Sequence, residues 1–168
     1  MQVHPGLQPC VNFVMGVPWQ HGRSPTVAEL EYHPFVLTHL QPVLDIQAKH
    51  GIITTAFGPL TPILRHPSAG GPLKPILTRI AERLGNGADA AAVLLLWTKA
   101  KGVGVVTASG NEGRIQGFAR VQELMRKDVG EQGTLTKAEV DEIERVGRTI
   151  HFRGYVRVCR SPDLVGPC

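Results

Sequence analysis

The chain has 168 residues, of which 42% are hydrophobic and 19% are charged, and its formal net charge is +4. This length suffices for one domain with a buried core, and the balance is ordinary for a soluble globular protein. The basic residues are scattered and only 5% of residues are aromatic, which disfavours a nucleic-acid partner. No apolar run predicts a membrane span, no signal peptide is recognisable, and the three cysteines lack metal-ligand spacing. We therefore expect a cytoplasmic protein.

The two ends of the chain differ from its middle. Residues 1–24 carry three prolines and three glycines without sustained periodicity, which predicts an irregular segment. Residues 153–168 include Pro162 and Pro167 and predict a loose tail. One ordered domain is therefore expected over residues 25–152.

The first half of that domain alternates predicted strands with a helix. Residues 26–32 predict a short strand that ends before Pro34, since a proline restricts the residue before it. Pro42 suits the first turn of a helix, where its missing N–H costs nothing, and Gly51 is a good stop. Residues 52–57 are β-branched without alternation, which predicts a strand buried on both faces. The predicted apolar side of the helix consists of Val43, Leu44, Ile46 and Ala48.

Two helical patterns follow a loop that is rich in proline and glycine, at residues 58–72. The first pattern covers residues 73–84, where apolar residues recur at helical spacing, and Gly85 ends it. The second follows Asp89, which is a good N-cap, and carries Trp97, which we expect in the core.

The last part of the domain predicts a third buried strand and two more helices. Residues 103–107 form the strand, and Arg114 opens the helix after it. Thr136 and Glu139 have the spacing of a capping box at the start of the final helix. The predicted buried face of that helix consists of Val140, Ile143, Val146 and Ile150.

This alternation of strands and helices predicts an α/β fold with a parallel sheet. Three strands are few for such a sheet, because a parallel sheet needs both faces and both edges covered. Tyr32 and His33, which precede Pro34, are expected to be structural. The remaining histidines considered show no spacing typical of a metal site or a catalytic triad, namely His39, His50, His66 and His151.

The loop between the third strand and the next helix, residues 107–114, is the strongest candidate site. The free N–H groups of a helix's first turn favour an anion, so this geometry suits a phosphate. Ser109 and Asn111 can donate hydrogen bonds and Arg114 can add a charged fork. A structural alternative remains open, in which Ser109 or Asn111 merely caps the helix and Arg114 is solvated.

Four motifs in series resemble the second half of an aldo-keto reductase. They are Glu-Tyr-His-Pro at residues 31–34, Thr-Ala-Phe-Gly-Pro-Leu at 55–60, Val-Leu-Leu-Leu-Trp at 93–97, and Ser109 through Asn111 to Arg114-Ile115. The match runs from about residue 25 to about residue 152. The resemblance implies the C-terminal part of a (β/α)8 TIM barrel, about three strands of eight, and an NADP(H)-dependent reduction of aldehydes and ketones to alcohols.

The resemblance also implies a set of cofactor-binding positions. Phe57 falls where the family has an aromatic ring, usually Tyr, that stacks on the nicotinamide. Gly58 and Leu60 fall on the loop along the pyrophosphate, and Glu29 aligns with a Gln that contacts the carboxamide. The segment that holds the adenosine 2′-phosphate in the family corresponds to Thr107, Ala108, Ser109, Asn111 and Arg114.

Several of these positions depart from the family pattern. Glu29, when ionised, accepts but does not donate hydrogen bonds, and Gly58 lacks the hydroxyl of the usual Ser. Ala108 replaces a common Lys, although some fungal-type members have this Thr-x-Ser version. Gly117 and Phe118 replace polar residues that usually touch the adenine. The 107–114 loop is therefore expected to hold the phosphate less firmly than in a typical member.

The family's catalytic Asp, Tyr, Lys and His all come from its first half, which precedes the segment matched here. We therefore assign no catalytic residue and expect the chain alone to be inactive. Three of eight strands cannot close a barrel, so the chain is expected to be a truncated fragment or to be completed by another chain. Two alternatives to an oxidoreductase stay open: a nucleotide-binding fragment without chemistry, and an interaction protein that pairs through its open sheet edges.

Overall fold

The computed structural model of the protein describes residues 26–155. The predicted irregular segment at residues 1–24 lies outside the described residues, as does most of the predicted tail at residues 153–168. No helix among the described residues is long and apolar enough to cross a membrane.

A parallel sheet of three strands in the order β1-β2-β3 forms the centre of the fold. The strands are β1 (Val27–Glu31), β2 (Ile53–Phe57) and β3 (Gly104–Val105). Leu30 lies opposite Ala56, which in turn lies opposite Val105. The predicted α/β class and parallel sheet are confirmed. The third strand is shorter than the predicted residues 103–107.

The described residues form six α-helices, which largely follow the predicted pattern. Short 3-10 turns precede the first and third of them. The helices are α1 (Leu37–Lys49), α2 (Thr61–Leu64), α3 (Lys74–Leu84), α4 (Ala90–Ala100), α5 (Glu112–Met125) and α6 (Lys137–Gly147).

The prediction that Pro42 opens a helix is wrong, because Pro42 lies inside α1. The opening proline is Pro34, which begins a 3-10 turn that leads directly into α1. Pro42 removes the backbone hydrogen bond to the Thr38 carbonyl, but both residues are exposed, so water can satisfy that carbonyl. The predicted apolar side is also partly wrong, since Ile46 is 55% exposed and Ala48 is exposed as well.

Within residues 26–155 the sheet is covered on one face only, which corrects the prediction of strands buried on both faces. Ala28, Leu30 and Ala56 are buried on the covered face, against which α1 and α4 pack. On the opposite face Ile53 is 58% exposed, and Val106, just after β3, is 46% exposed. The β-branched composition of β2 therefore indicates a buried environment that residues 26–155 alone do not provide.

The core joins the end of β1 to α4 and α6. Trp97 is fully buried, as predicted, and its ring stacks on Tyr32 at a centroid distance of 5.7 Å. The indole N–H of Trp97 donates to the Val140 carbonyl (3.3 Å). The predicted capping box at Thr136 is present, and its Glu139 also accepts two hydrogen bonds from the Arg83 guanidinium, each of 2.7 Å. This charged pair therefore connects α3 with α6, which lie far apart in sequence.

Gly147 marks the closest approach between α6 and the turn after β1. A Cβ added there would meet the Pro34 ring and lie 2.8 Å from the Pro34 carbonyl oxygen. Alanine normally stabilises a helix interior by about 1 kcal/mol relative to glycine. We predict that Gly147→Ala instead lowers the free energy of unfolding by about 1–3 kcal/mol, because it overpacks this contact.

Urea unfolding followed by circular dichroism measures this effect, and Gly117→Ala is the matched control. Gly117 lies inside α5 with nothing within 4 Å of an added Cβ. That substitution should therefore leave the free energy of unfolding unchanged or raise it. Equal effects of the two substitutions would contradict the packing of α6 against Pro34.

Candidate functional site

A groove of about 1330 Å³ opens at the carboxyl ends of β2 and β3. Its walls are the loop after β2, the connection between α3 and α4, and one side of α5. It brings together eight of the nine residues proposed from the sequence: Phe57, Gly58, Leu60, Thr107, Ala108, Ser109, Asn111 and Arg114.

Glu29, the ninth candidate, does not line the groove. It is half-buried in the middle of β1, opposite Thr55. Alternation along the strand places it on the open face of the sheet, since its neighbours Ala28 and Leu30 are buried on the covered face.

The 107–114 loop is organised by its own side chains. Asn111 Oδ1 accepts a hydrogen bond from the Arg114 amide (3.0 Å), which makes Asn111 the N-cap of α5. Ser109 Oγ accepts from the Asn111 amide (3.1 Å). Asn111 therefore has the capping role that the structural alternative foresaw. α5 begins at Glu112, two residues before Arg114.

The first turn of α5 leaves donors at the groove. Gly113 lines the groove at the second position of α5, where helix N–H groups have no intrahelical partner. Arg114 is exposed and makes no ion pair within residues 26–155. The loop thus combines backbone donors, the hydroxyl of Ser109 and an available cation beside one another, which is an arrangement that suits an anion.

The groove as a whole is basic. It is lined by two acidic side chains, of which Asp89 caps α4 and Glu123 is exposed. The five basic side chains that line it are Arg65, Arg83, Arg114, Arg120 and Lys127. Arg83 is already paired with Glu139, but the other four basic side chains still outnumber the acidic ones, and this excess favours a polyanionic ligand.

Sequence reasoning missed Arg120 and Lys127 as groove residues, although a signal for them exists. Residues 113, 117, 120 and 124 line the groove at the spacing of one helical face, and Lys127 continues this spacing just beyond the end of α5. Arg65 and Arg83 come from other elements, and no local pattern connects them with α5.

A buried carboxylate closes the end of β1. Glu31 is 1% exposed, and its Oε1 accepts from the Gly154 amide (2.6 Å) and from His33 Nε2 (3.2 Å). Arg153 Nε lies 3.6 Å from Oε2. Tyr32 and His33 are buried, which agrees with their predicted structural role.

The environment shifts the pKa of both buried partners. Burial alone would raise the pKa of Glu31, but the hydrogen bonds from His33 and Gly154 and the nearby charge of Arg153 outweigh it and lower that pKa. Burial lowers the pKa of His33, which Glu31 only partly offsets. His33 is therefore neutral at neutral pH, with the proton on Nε2, because an ionised Glu31 can only accept.

Residues 152–155, hereafter the strap, lie across the end of the groove next to Glu31. The Phe152 amide donates to the Phe35 carbonyl (3.1 Å), and the Gly154 amide donates to Glu31. Tyr155 lines the groove and contacts Phe57 edge to face at a centroid distance of 5.3 Å. The first residues of the predicted loose tail are therefore held against the sheet.

No group of three or more His, Cys, Asp or Glu side chains that could hold a metal ion occurs within residues 26–155. His39 and His151 do approach each other, with ring centroids 3.6 Å apart. Two rings alone do not complete a metal site.

The lowered pKa values predict that stability falls in mild acid. Below the ordinary histidine value of 6.5 the unfolded chain takes up a proton that buried His33 resists. Glu31 loses its contribution only as pH falls from about 4.5 through its lower folded value. We expect the free energy of unfolding to drop by about 1 kcal/mol between pH 7.5 and pH 5.5.

Urea unfolding at the two pH values measures this drop in the wild type and in His33→Gln. Gln can donate to Glu31 but does not titrate, so His33→Gln should weaken the dependence; the remainder comes from His151, whose pKa is lowered by burial and by His39. His50→Gln is the matched control, because His50 is exposed at the end of α1. A His33→Gln variant that keeps the full wild-type dependence would refute the assignment.

Known proteins provide an independent comparison with this geometry. The chain is 30% identical over 134 residues to an NAD/NADP-dependent indole-3-acetaldehyde reductase of Schizosaccharomyces pombe. That alignment covers 80% of this chain but 43% of the relative. No protein-family profile matches the chain.

Solved structures agree with the sequence relative. An aldo/keto reductase from Brucella melitensis superposes with a TM-score of 0.54 at 24% identity, over 76% of this chain and 41% of its own. An aldose reductase from Giardia lamblia gives 0.58 at 20% identity, over 78% and 40%. The chain thus spans about two-fifths of the length of the proteins it matches. The resemblance read from the four motifs is confirmed, and the chain has the fold of part of an aldo-keto reductase barrel.

Proposed function

We propose that the chain is the NADP(H)-holding part of an aldo-keto reductase, with the adenosine 2′-phosphate at the 107–114 loop. This proposal rests on one observation: eight of the residues to which the resemblance gives a cofactor-binding role line the same basic groove. Those residues come from two separate segments, after β2 and after β3, and neither segment by itself forms the groove.

The residues present fit such a group at its phosphate end. The Gly113 amide, the Ser109 hydroxyl and the Arg114 guanidinium supply donors of both neutral and charged kinds. Ala108 adds no charge where the family often has Lys, so Arg114 carries more of the discrimination for a 2′-phosphate. The Schizosaccharomyces pombe relative is NAD/NADP-dependent, which accords with a modest preference for NADP(H).

The nicotinamide end has fewer partners in the described residues. Phe57 offers an aromatic face, and Gly58, with φ of +62°, turns the chain sharply after β2. Glu29, on the open face of the sheet, is not part of the groove, so its proposed contact with the carboxamide has no support. When bound, the cofactor would supply the hydride for reduction of an aldehyde or ketone.

The described residues carry no tyrosine to which the resemblance gives the role of proton donor. Tyr155 lines the groove but lies outside the four motifs that carry the resemblance. Within residues 26–155 the tyrosines are Tyr32 and Tyr155. Tyr32 is 2% exposed, and burial raises its pKa, so it does not reach a substrate. We propose that the catalytic Asp, Tyr, Lys and His lie in sequence beyond the matched segment and that this chain alone binds the cofactor without turnover.

A role in pairing with another chain is the second candidate, and the open face of the sheet favours it. Ile53 and Val106 are exposed there at 58% and 46%, on a face that a closed barrel would bury. Because each of these side chains is only about half exposed, covering it would stabilise the chain by about 1 kcal/mol. A partner that supplies further parallel strands would cover this face and complete the barrel.

The 2′-phosphate assignment predicts a selective loss on Arg114→Ala. Titration calorimetry should show about tenfold weaker binding of NADPH and little change for NADH, since only NADPH carries the extra phosphate. Arg145→Ala is the matched control, because Arg145 is exposed on α6 and outside the groove. Equal losses for both cofactors would remove Arg114 from this role.

The absence of turnover is a separate prediction. NADPH consumption with a generic aldehyde, followed at 340 nm, should not exceed that of a protein-free blank. Binding without turnover supports the proposed cofactor-holding role. Turnover by the purified chain would show that it holds a complete catalytic group and would contradict the proposal.

A further inference from the structure

Tyr155 covers the part of the groove that follows β2. Its ring contacts Phe57 edge to face, with centroids 5.3 Å apart and planes at 83°. The Arg65 guanidinium carbon lies 4.1 Å from the centre of the Tyr155 ring. Arg65 Nη1 also lies 3.5 Å from the Gly154 carbonyl oxygen. The ring therefore fills space between the end of β2 and the α2 region, within the groove.

Gly58 and Tyr155 depend on each other. A Cβ at Gly58 would lie 2.6 Å from the Tyr155 ring carbon Cε2 and 3.0 Å from Thr61 Oγ1. The Ser usual at this position in the family would therefore collide with the ring. The departure from the family pattern at Gly58 thus has a structural counterpart in the strap.

Gly154 and Tyr155, which are neighbours in the strap, differ in how firmly they are held. Gly154 is bound to the buried carboxylate of Glu31 at 2.6 Å, and a Cβ at Gly154 would lie 2.7 Å from both Arg65 and Thr61 side-chain atoms. Tyr155 is 37% exposed and is held by one edge-to-face contact and one cation–π contact. Such contacts are individually weak, so the ring can leave while Gly154 stays bound.

We propose that Tyr155 gates the nicotinamide end of the groove and must swing away before a whole dinucleotide binds. The adenosine 2′-phosphate end, at the 107–114 loop, remains accessible while the ring is in place. This inference rests on the proposed function, because it takes the nicotinamide to lie on Phe57 and the pyrophosphate to run past Gly58. Tyr155 is thus a selectivity residue that makes the closed groove accept an adenosine phosphate but not its full dinucleotide.

Two ligands separate the two ends of the groove. NADPH reaches Phe57, whereas adenosine 2′,5′-bisphosphate carries the 2′-phosphate end without a nicotinamide. Calorimetric titration should show that Tyr155→Ala binds NADPH about five- to tenfold more tightly than the wild type. This factor is expected because the variant does not have to break the two weak contacts of the ring, with Phe57 and Arg65, before NADPH binds. Adenosine 2′,5′-bisphosphate should bind both proteins within twofold of each other.

Tyr155→Phe is the matched control, because it keeps the ring, its contact with Phe57 and its face toward Arg65. It should bind both ligands as the wild type does. Unchanged or weaker NADPH binding by Tyr155→Ala, alongside normal binding of adenosine 2′,5′-bisphosphate, would overturn the gate but leave the proposed function standing. Failure of adenosine 2′,5′-bisphosphate to bind any of the three proteins would overturn the proposed function and the gate with it.

Discussion

The parallel pairing of the three strands is the constraint on which the site depends. Because β1, β2 and β3 run in one direction, the segments that follow them emerge at the same edge of the sheet. Phe57 and the 107–114 loop, about fifty residues apart in sequence, therefore line one groove. The same edge places Glu31, at the end of β1, where it holds the Gly154 amide. Groove and strap are thus two consequences of one strand arrangement.

Within residues 26–155, that arrangement also leaves one face of the sheet uncovered. Helices pack on the face that carries Leu30 and Ala56, whereas Ile53 and Val106 are exposed on the other. A sheet of eight strands would turn this second face into a barrel interior. The β-branched run of β2 suits such an interior. The proposed partner chain, which supplies further parallel strands, would cover this exposed face.

Local patterns predicted what local interactions determine. The N-cap at Asp89 and the capping box at Thr136 were readable because both bonding partners lie within three residues. The start of α1 was wrongly predicted at Pro42. A proline can lie inside a helix when water satisfies the carbonyl four residues earlier, here that of Thr38, and the exposure of that carbonyl depends on the tertiary structure. The hydrogen bond between Glu31 and Gly154 spans 123 residues, so no periodicity announces it. The groove residues that lie within the family motifs were predictable from the sequence. Arg83 from α3 and Arg65 after α2 were not predictable, because no local pattern connects them with the groove.

The central claim is that the 107–114 loop holds the phosphate of a nucleotide, and amide resonances report on it directly. A ¹⁵N–¹H correlation spectrum of the labelled chain, titrated with NADPH, should show its largest shifts at the amides of residues 109–114. NADH should produce smaller shifts at those amides. Largest shifts on the open face of the sheet, at Glu29 and Ile53, or no shift at residues 109–114, would contradict the account.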